Sequence, residues 1–134
     1  MTSWIILWVA AAVLFVAIDM VWLLWLGRGF YVSEIGELLK QPPSFAAAGA
    51  FYALYITGLM ILVVWPAVQA GSIGQALLYG AIAGAFAYGT YDLTNLAVMK
   101  GFTTKIAIID LAWGTVLTAT VSALATWIGG MLKG

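Results

Sequence analysis

The sequence of 134 residues contains no cysteine and no histidine, and only 7% of its residues are charged. Without cysteine the chain cannot form a disulfide, a thiolate metal site or a thiol nucleophile. Without histidine it lacks the commonest metal ligand and the usual proton carrier near neutral pH. We therefore expect no metal site and no cofactor, and any chemistry must use carboxyl, hydroxyl, amino or guanidinium groups.

Charge is also balanced, with five basic and five acidic residues, so nothing in the net charge attracts nucleic acid. Hydrophobic residues make up 65% of the chain. Soluble domains carry about 25% charged residues, which excludes a water-soluble fold. The expected partner is membrane lipid, and no nucleic acid partner is expected.

Four apolar segments are each close to the ~20 residues that cross a bilayer core. They cover about residues 4–26, 45–68, 75–99 and 105–132. The breaks between them contain Pro42-Pro43, Gly71-Ser72 and Lys100-Gly101, which are typical of turns. The predicted fold is a single domain over residues 1–134, an all-α four-helix transmembrane bundle.

Basic residues predict the orientation of these spans. Arg28, Lys40, Lys100 and Lys105 all flank the loops after the first and third spans. Short loops rich in lysine and arginine stay in the cytoplasm. We therefore expect both charged loops to be cytoplasmic and both termini to lie on the opposite side.

The first loop is the longest polar stretch between spans. Ser33 is a favourable cap for a short helix carrying Ile35, Leu38 and Leu39, with Glu34 in its first turn. Such a helix would be amphipathic and would lie at the membrane surface. The alternative is an ordinary ordered loop.

A faint repeat relates the first and third spans. Asp19 is followed by an apolar stretch and then Arg28-Gly29-Phe30, and Asp92 by an apolar stretch and then Lys100-Gly101-Phe102. A duplicated two-helix unit of this kind is typical of transporters, whose sites lie near the repeat interface. The similarity also fits the shared pattern of membrane-helix ends, so both explanations stay open.

Three aspartates, Asp19, Asp92 and Asp110, lie within the predicted spans. A charged side chain there costs at least ~2.5–3.5 kcal/mol, so such residues usually face a bundle interior. At ~1.5 Å rise per residue, each lies roughly 8–10 Å inside the cytoplasmic end of its span. The sequence therefore predicts one acidic layer in the cytoplasmic half of the membrane.

Polar and aromatic side chains share helix faces with these aspartates, and small residues let the helices approach one another. The two phenols of the second span are placed to donate to an aspartate. The candidate substrate-binding residues are Asp19, Asp92, Asp110, Tyr88, Tyr91, Asn95, Tyr52, Tyr55, Trp22 and Trp113. The candidate helix-packing residues are Gly80, Gly84 and Gly114. The competing interpretation is that the aspartates serve only as hydrogen-bonding glue between helices.

Two motifs carry a resemblance to a known family. The run from Tyr88 to Ala97 and the run from Asp110 to Thr115 are similar to a bacterial family of small membrane proteins, catalogued as domain of unknown function 2177. Arg28–Tyr31 and Phe51–Tyr55 extend the similarity over nearly the whole chain. The resemblance implies a four-helix protein of the bacterial inner membrane, and it implies no activity, substrate or cofactor.

Three functions fit these features. The first is a transporter that binds a polar or cationic amphiphilic substrate at the acidic layer, as a homo-oligomer because four spans enclose little volume. The second is a lipid-modifying enzyme using aspartate acid–base chemistry. The third is an accessory subunit. A water-filled cavity at the acidic layer would indicate the transporter, and a groove open to lipid would indicate the enzyme. A closed layer with every carboxyl group hydrogen-bonded would indicate the accessory subunit.

Overall fold

The computed structural model describes residues 2–36 and 44–133, and the regular structure within them is helical. Leu38 and Leu39 of the predicted surface helix lie outside these residues. The helices are α1 (Thr2–Val21), α2 (Arg28–Ile35), α3 (Phe45–Leu59), α4 (Trp65–Ala70), α5 (Ile73–Val98) and α6 (Thr104–Lys133). Two π-helical segments, Trp22–Leu26 and Met60–Val64, extend α1 and join α3 to α4.

Three helical stretches are long and apolar enough to cross a membrane: Thr2–Trp25, Phe45–Ala70 and Thr104–Leu132. They coincide with the first, second and fourth predicted spans. The third predicted span forms α5, whose 26 residues extend over about 39 Å. Its glycines and polar residues leave α5 without a stretch as apolar as those three. The structure thus confirms an all-helical membrane protein.

Local sequence explains where these helices begin and end. The Ser44 hydroxyl accepts the N–H of Ala47 at 3.3 Å and caps α3. Gly71 ends α4 with a φ of 67°, in the left-handed region that glycine adopts without strain. Ser72 follows at once and caps α5, accepting the N–H of Gln75 at 3.0 Å. Two antiparallel helices thus need only a very short connection.

The π-helical segments have different causes. Pro66 follows the second segment, and its ring would clash with the carbonyl of Leu62 in a regular α-helix; the wider turn relieves that clash. The first segment closes with a 2.6 Å hydrogen bond from the Gly27 N–H to the Trp22 carbonyl, and α2 begins at the next residue. The chain therefore changes direction at Gly27.

Two groups of buried side chains hold the helices together. The larger group joins α1, the α3–α4 region and α6, and the smaller one joins α2 to the beginning of α6. The larger contains Leu7, Ala11, Phe15, Ile56, Leu59, Met60, Val63, Val64, Val68, Leu117, Val121 and Ala125. The smaller contains Tyr31, Ile35, Phe102, Ile106 and Ala107.

The predicted role of Ser33 is wrong. Ser33 lies inside α2, not before it, and its hydroxyl donates to the Phe30 carbonyl at 3.0 Å. The helix starts earlier because the chain turns at Gly27. Tyr31 and Ile35 on its inner face pack against Phe102 and α6. A short helix does follow the first span, and its position at a membrane surface stays a prediction.

Helices α5 and α6 approach each other backbone to backbone. A Cβ atom on Gly84 would lie 2.6 Å from the Gly114 carbonyl oxygen, and one on Gly80 would lie 2.8 Å from the Ser122 hydroxyl. A Cβ atom on Gly114 would overlap the ring of Tyr88. This close approach is the geometry that the small-residue pattern predicts. It sets the side chains of α5 directly against those of α6.

Candidate functional site

Asp19 is a buried carboxylate with two hydrogen-bond donors from two other helices. The Tyr52 hydroxyl of α3 donates to Oδ2 at 2.7 Å, and Nε1 of Trp113 on α6 donates to Oδ1 at 3.0 Å. The side chain is 6% exposed. Each carboxylate oxygen therefore has a donor, and the bonds tie three helices together at one point.

The position of Asp19 follows from the buried face of α1. Leu7, Ala11, Phe15 and Asp19 recur every four residues and line the inner side of the helix. The ring of Phe15 meets the edge of Tyr52 at a centroid distance of 5.8 Å. Asp19 thus continues an apolar stripe, and its phenol donor comes from the tyrosine that packs on that stripe.

Asp110 is bonded by a residue outside the predicted spans. The Tyr31 hydroxyl of α2 donates to Oδ1 of Asp110 at 2.6 Å, and the Tyr31 oxygen accepts Nε1–H of Trp22 at 2.9 Å. Burial, together with the hydrogen bond to Asp110, raises the pKa of Tyr31 well above its ordinary value. Tyr31 is therefore a neutral phenol that donates to a carboxylate.

A stack of two indoles joins the Asp19 and Asp110 networks. Trp22 and Trp113 lie 4.6 Å apart between ring centroids, with their planes inclined by 12°. Trp113 donates to Asp19, and Trp22 donates to the phenol bonded to Asp110. Both tryptophans therefore link the two aspartate networks through their stacking and their hydrogen bonds.

Asp92 differs from the other two aspartates. Its side chain is fully buried, and its carboxyl oxygens receive no hydrogen bond from a donor in the part of the chain that the structure describes. The carboxyl group of Asp110 lies within hydrogen-bonding reach of it. Two ionised carboxylates are both acceptors and repel each other, so a bond between them requires one proton. Asp92 and Asp110 form a carboxyl pair suited to sharing a proton.

The three carboxyl groups form one cluster. Asp110 is close enough to act electrostatically on both Asp19 and Asp92, and no cation of residues 2–36 and 44–132 does so. Lys105, near the same end of α6, lies with Nζ 5.4 Å from the centroid of the Phe30 ring. Within residues 2–36 and 44–133, no acidic group of three or more is arranged to hold a metal ion.

Some of the other predicted site residues lie close to the three aspartates, and others lie farther away. Tyr88 lies on Gly114 and meets the edge of Tyr55 at 6.3 Å between ring centroids, close to the cluster. Tyr55 does not bond an aspartate; its hydroxyl is 2.9 Å from that of Thr118. Tyr91 is 55% exposed, so it points largely away from the buried face of α5.

Asn95 also lies apart from the hydrogen bonds of the cluster. Its side chain is half-buried, and its carbonyl accepts the N–H of Met99, where α5 ends. The predicted shared face of Tyr88, Asp92 and Asn95 thus brings the first two to the cluster. Asn95 sits about one helical turn farther toward the α5–α6 connection.

A groove opens on the side of the molecule between the α3–α4 region and α5. It has a volume of about 460 Å³ and is lined mainly by apolar side chains. Tyr55 forms part of its wall, together with Phe51 and Leu62 on one side and Ala83 and Phe86 on the other. Tyr55, on the groove wall, packs against Tyr88, whose ring lies on Gly114 of α6.

The sequence interpretation missed Tyr31 as a site residue. With Ser33 as the expected cap, the helix of the first loop would begin after Ser33 and leave Tyr31 outside it. The available signal was the spacing of Tyr31 and Ile35, which marks one helix face once the helix start is moved to Arg28. That α2 folds back onto α6 could not be seen without the long-range packing.

Fold and site together define a helical membrane protein with a cluster of three aspartates, two of them buried and two of them bonded by tyrosine and tryptophan side chains. The chain belongs to the family described as predicted membrane protein DUF2177, whose model matches residues 4–127. This confirms the family resemblance found in the sequence motifs. No curated protein and no solved structure matches the chain.

Proposed function

We propose that this protein is transporter-like: it binds the polar or cationic head of an amphiphile at the carboxyl cluster and exchanges a proton for it. The observation that carries the proposal is Asp92. It is a fully buried carboxyl group with no donor to its oxygens in the described chain, and it faces a second carboxyl group. A cation arriving there would supply the missing partner and displace the shared proton.

The groove favours an amphiphilic substrate rather than a fully polar one. Its apolar lining offers space for a hydrocarbon chain, and its volume of about 460 Å³ is typical of small-molecule sites. Tyr55 on the groove wall packs against Tyr88, the tyrosine of α5 nearest the cluster. An amphiphile could therefore enter sideways, with its chain in the groove and its head toward the carboxyl groups.

A four-span arrangement is part of the same proposal. Helix α5 is long enough to span, and its small face packs closely on α6. With α5 as the fourth span, the chain would form a bundle in the bacterial inner membrane, with charged loops in the cytoplasm and both termini periplasmic. A duplicated two-helix repeat and a homo-oligomer remain expectations of this arrangement.

The test is proton release on addition of dodecyltrimethylammonium, a single-chain cationic amphiphile, to the purified protein in weakly buffered detergent. We expect saturable quenching of tryptophan fluorescence, because Trp22 and Trp113 lie beside the cluster, and release of about one proton per bound cation. Asp92→Asn is expected to release no proton, because an amide at this position carries no exchangeable acid.

Two matched probes make this experiment decisive. Dodecyl maltoside has the same chain with a neutral head, so it is expected to release no proton. Asp92→Asn keeps the shape of the side chain and is expected to reach the membrane normally. Proton release from Asp92→Asn equal to that from the unmodified protein, or no binding of the cation at all, would contradict the proposal.

A structural function is the second candidate, and Asp19 favours it. With a donor on each oxygen, Asp19 joins α1, α3 and α6 in the manner of packing glue. If the whole cluster were structural, Asp92→Asn would leave every function in the host intact. A lipid-modifying enzyme, favoured by the sideways groove, would instead convert added lipid to product, which mass spectrometry would detect.

A further inference from the structure

We infer that Tyr31 is a positioning residue that holds Asp110 as the carboxylate of the pair and thereby places the shared proton on Asp92. The inference deepens the proposed proton exchange and rests on it for its functional meaning. It arises from an asymmetry in the hydrogen bonds. Oδ1 of Asp110 accepts the Tyr31 hydroxyl at 2.6 Å, whereas the oxygens of Asp92 accept nothing from the described donors.

A donated hydrogen bond stabilises a carboxylate more than it stabilises the neutral acid. In a pair that holds one proton, the carboxyl group with the extra donor therefore remains ionised. The other carries the proton and donates it across the pair. By this argument one oxygen of Asp92 carries the proton and donates it to Asp110, whereas its other buried oxygen still has no donor within the described chain.

The phenol of Tyr31 is fixed for this task. Its oxygen accepts Nε1–H of Trp22 at 2.9 Å, so the single hydroxyl proton is directed to Asp110. Tyr31 is buried against Phe102 and Ile106, at the start of α6. The Thr103 hydroxyl also donates to Glu34 at 2.7 Å and ties α2 to the same connection.

Groups on every neighbouring helix face this pair. Asp19 on α1 and Asp92 on α5 are both close enough to Asp110 to interact with it electrostatically. Tyr88 and Tyr91 on α5 do so as well. The two tyrosines are neutral. Among these groups, the Tyr31 hydroxyl is bonded directly to Asp110. Loss of Tyr31 is therefore expected to move the proton toward Asp110.

The chain allows this to be observed residue by residue, because Asp19, Asp92 and Asp110 are its only aspartates. Protein labelled with ¹³C at the aspartate side-chain carboxyl group gives three carbon signals in nuclear magnetic resonance, and Asp→Asn variants assign each one. Near neutral pH we expect the Asp92 signal at the position of a protonated acid. The Asp19 and Asp110 signals are expected at positions of carboxylates.

Tyr31→Phe removes the hydroxyl and keeps the ring that packs on α6. It is expected to shift the division of the shared proton toward Asp110 about tenfold to 100-fold, which is the effect expected for losing a hydrogen bond to a charged group. The Asp92 and Asp110 signals would then move toward each other. Trp22→Phe, which keeps the tyrosine and removes the donor to it, is expected to shift them less in the same direction.

The matched control is Tyr79→Phe, which removes a hydroxyl from a half-exposed tyrosine on α5 and is expected to leave all three signals in place. Unchanged Asp92 and Asp110 signals in Tyr31→Phe, or a protonated acid at Asp19 or Asp110 in the unmodified protein, would overturn the inference. No substrate is used, so this result is independent of the proton-release experiment and of whether the cation binds.

Discussion

Asp19 and Asp92 are both buried acids in apolar helices, yet their surroundings are opposite. Asp19 accepts one hydrogen bond on each oxygen, from Tyr52 and from Trp113. Asp92 has no donor within the described chain and faces Asp110. A carboxylate whose oxygens are all bonded is a structural element, since breaking its bonds strands buried donors. A buried carboxyl group without donors destabilises the fold, and such groups are typical of functional sites in membrane proteins.

The largest effect on stability is expected from replacing Asp19, the fully bonded member of the two. Asp19→Leu leaves the hydroxyl of Tyr52 and the indole N–H of Trp113 without an acceptor in a part-buried position. We expect a loss of about 3–5 kcal/mol in the free energy of unfolding, measured by thermal or denaturant unfolding in detergent. Asp92→Leu is the matched variant and is expected to cost far less, because no donor is stranded. Equal losses at the two positions would contradict the distinction.

The next effect concerns the approach of α5 and α6, which brings Asp92 against Asp110. Gly84→Ala places a methyl group 2.6 Å from the Gly114 carbonyl oxygen, which the two backbones must move apart to accommodate. We expect a loss of about 1–3 kcal/mol. Gly49→Ala is the control, because a Cβ atom there meets nothing within 4 Å. If both variants unfold at the same temperature, the close approach is not part of the stable fold.

A smaller effect is expected from Tyr52→Phe, which removes one of the two donors to Asp19 and preserves the ring that packs on Phe15. A hydrogen bond to a charged group contributes about 1.5–3 kcal/mol, and the remaining bond from Trp113 reduces the loss to the lower part of that range. Unfolding measured beside Tyr79→Phe separates this bond from the general effect of losing a hydroxyl. A cost no larger than that of Tyr79→Phe would show that the bond contributes little.

Asp92→Asn is expected to have the smallest effect on stability at neutral pH. The amide can donate to Asp110 in place of the shared proton, so the pair stays bonded. At alkaline pH the two carboxyl groups of the unmodified protein lose their proton and repel each other, whereas the variant keeps its bond. Unfolding temperatures measured across pH should therefore diverge, with the variant the more stable at high pH. Parallel profiles would contradict proton sharing.

The sequence predicts the helical membrane class and the acidic layer because both follow from local chemistry. Long apolar runs demand helices, and buried aspartates must face one another or a partner. The four predicted segments correspond to the long helices, although α5 lacks a stretch as apolar as those of the others. The pattern of small residues four positions apart, Gly80 and Gly84, also predicts which face of α5 meets α6.

Other features depend on contacts between residues far apart in the chain. Tyr31 bonds a residue 79 positions away, and nothing local distinguishes it from an anchor at the membrane surface. Tyr52 and Tyr55 lie on one helix face, yet Tyr52 meets an aspartate and Tyr55 meets Thr118. The crossing of the helices determines such partners, and a single sequence does not encode that crossing in any local pattern.

The most direct test of the account is infrared spectroscopy of the protonated carboxyl band in the purified protein near neutral pH. The account predicts a band equivalent to one protonated carboxyl group in the unmodified protein, retained in Asp19→Asn and lost in Asp92→Asn. A band that is absent from the unmodified protein, or that disappears in Asp19→Asn and persists in Asp92→Asn, would contradict it.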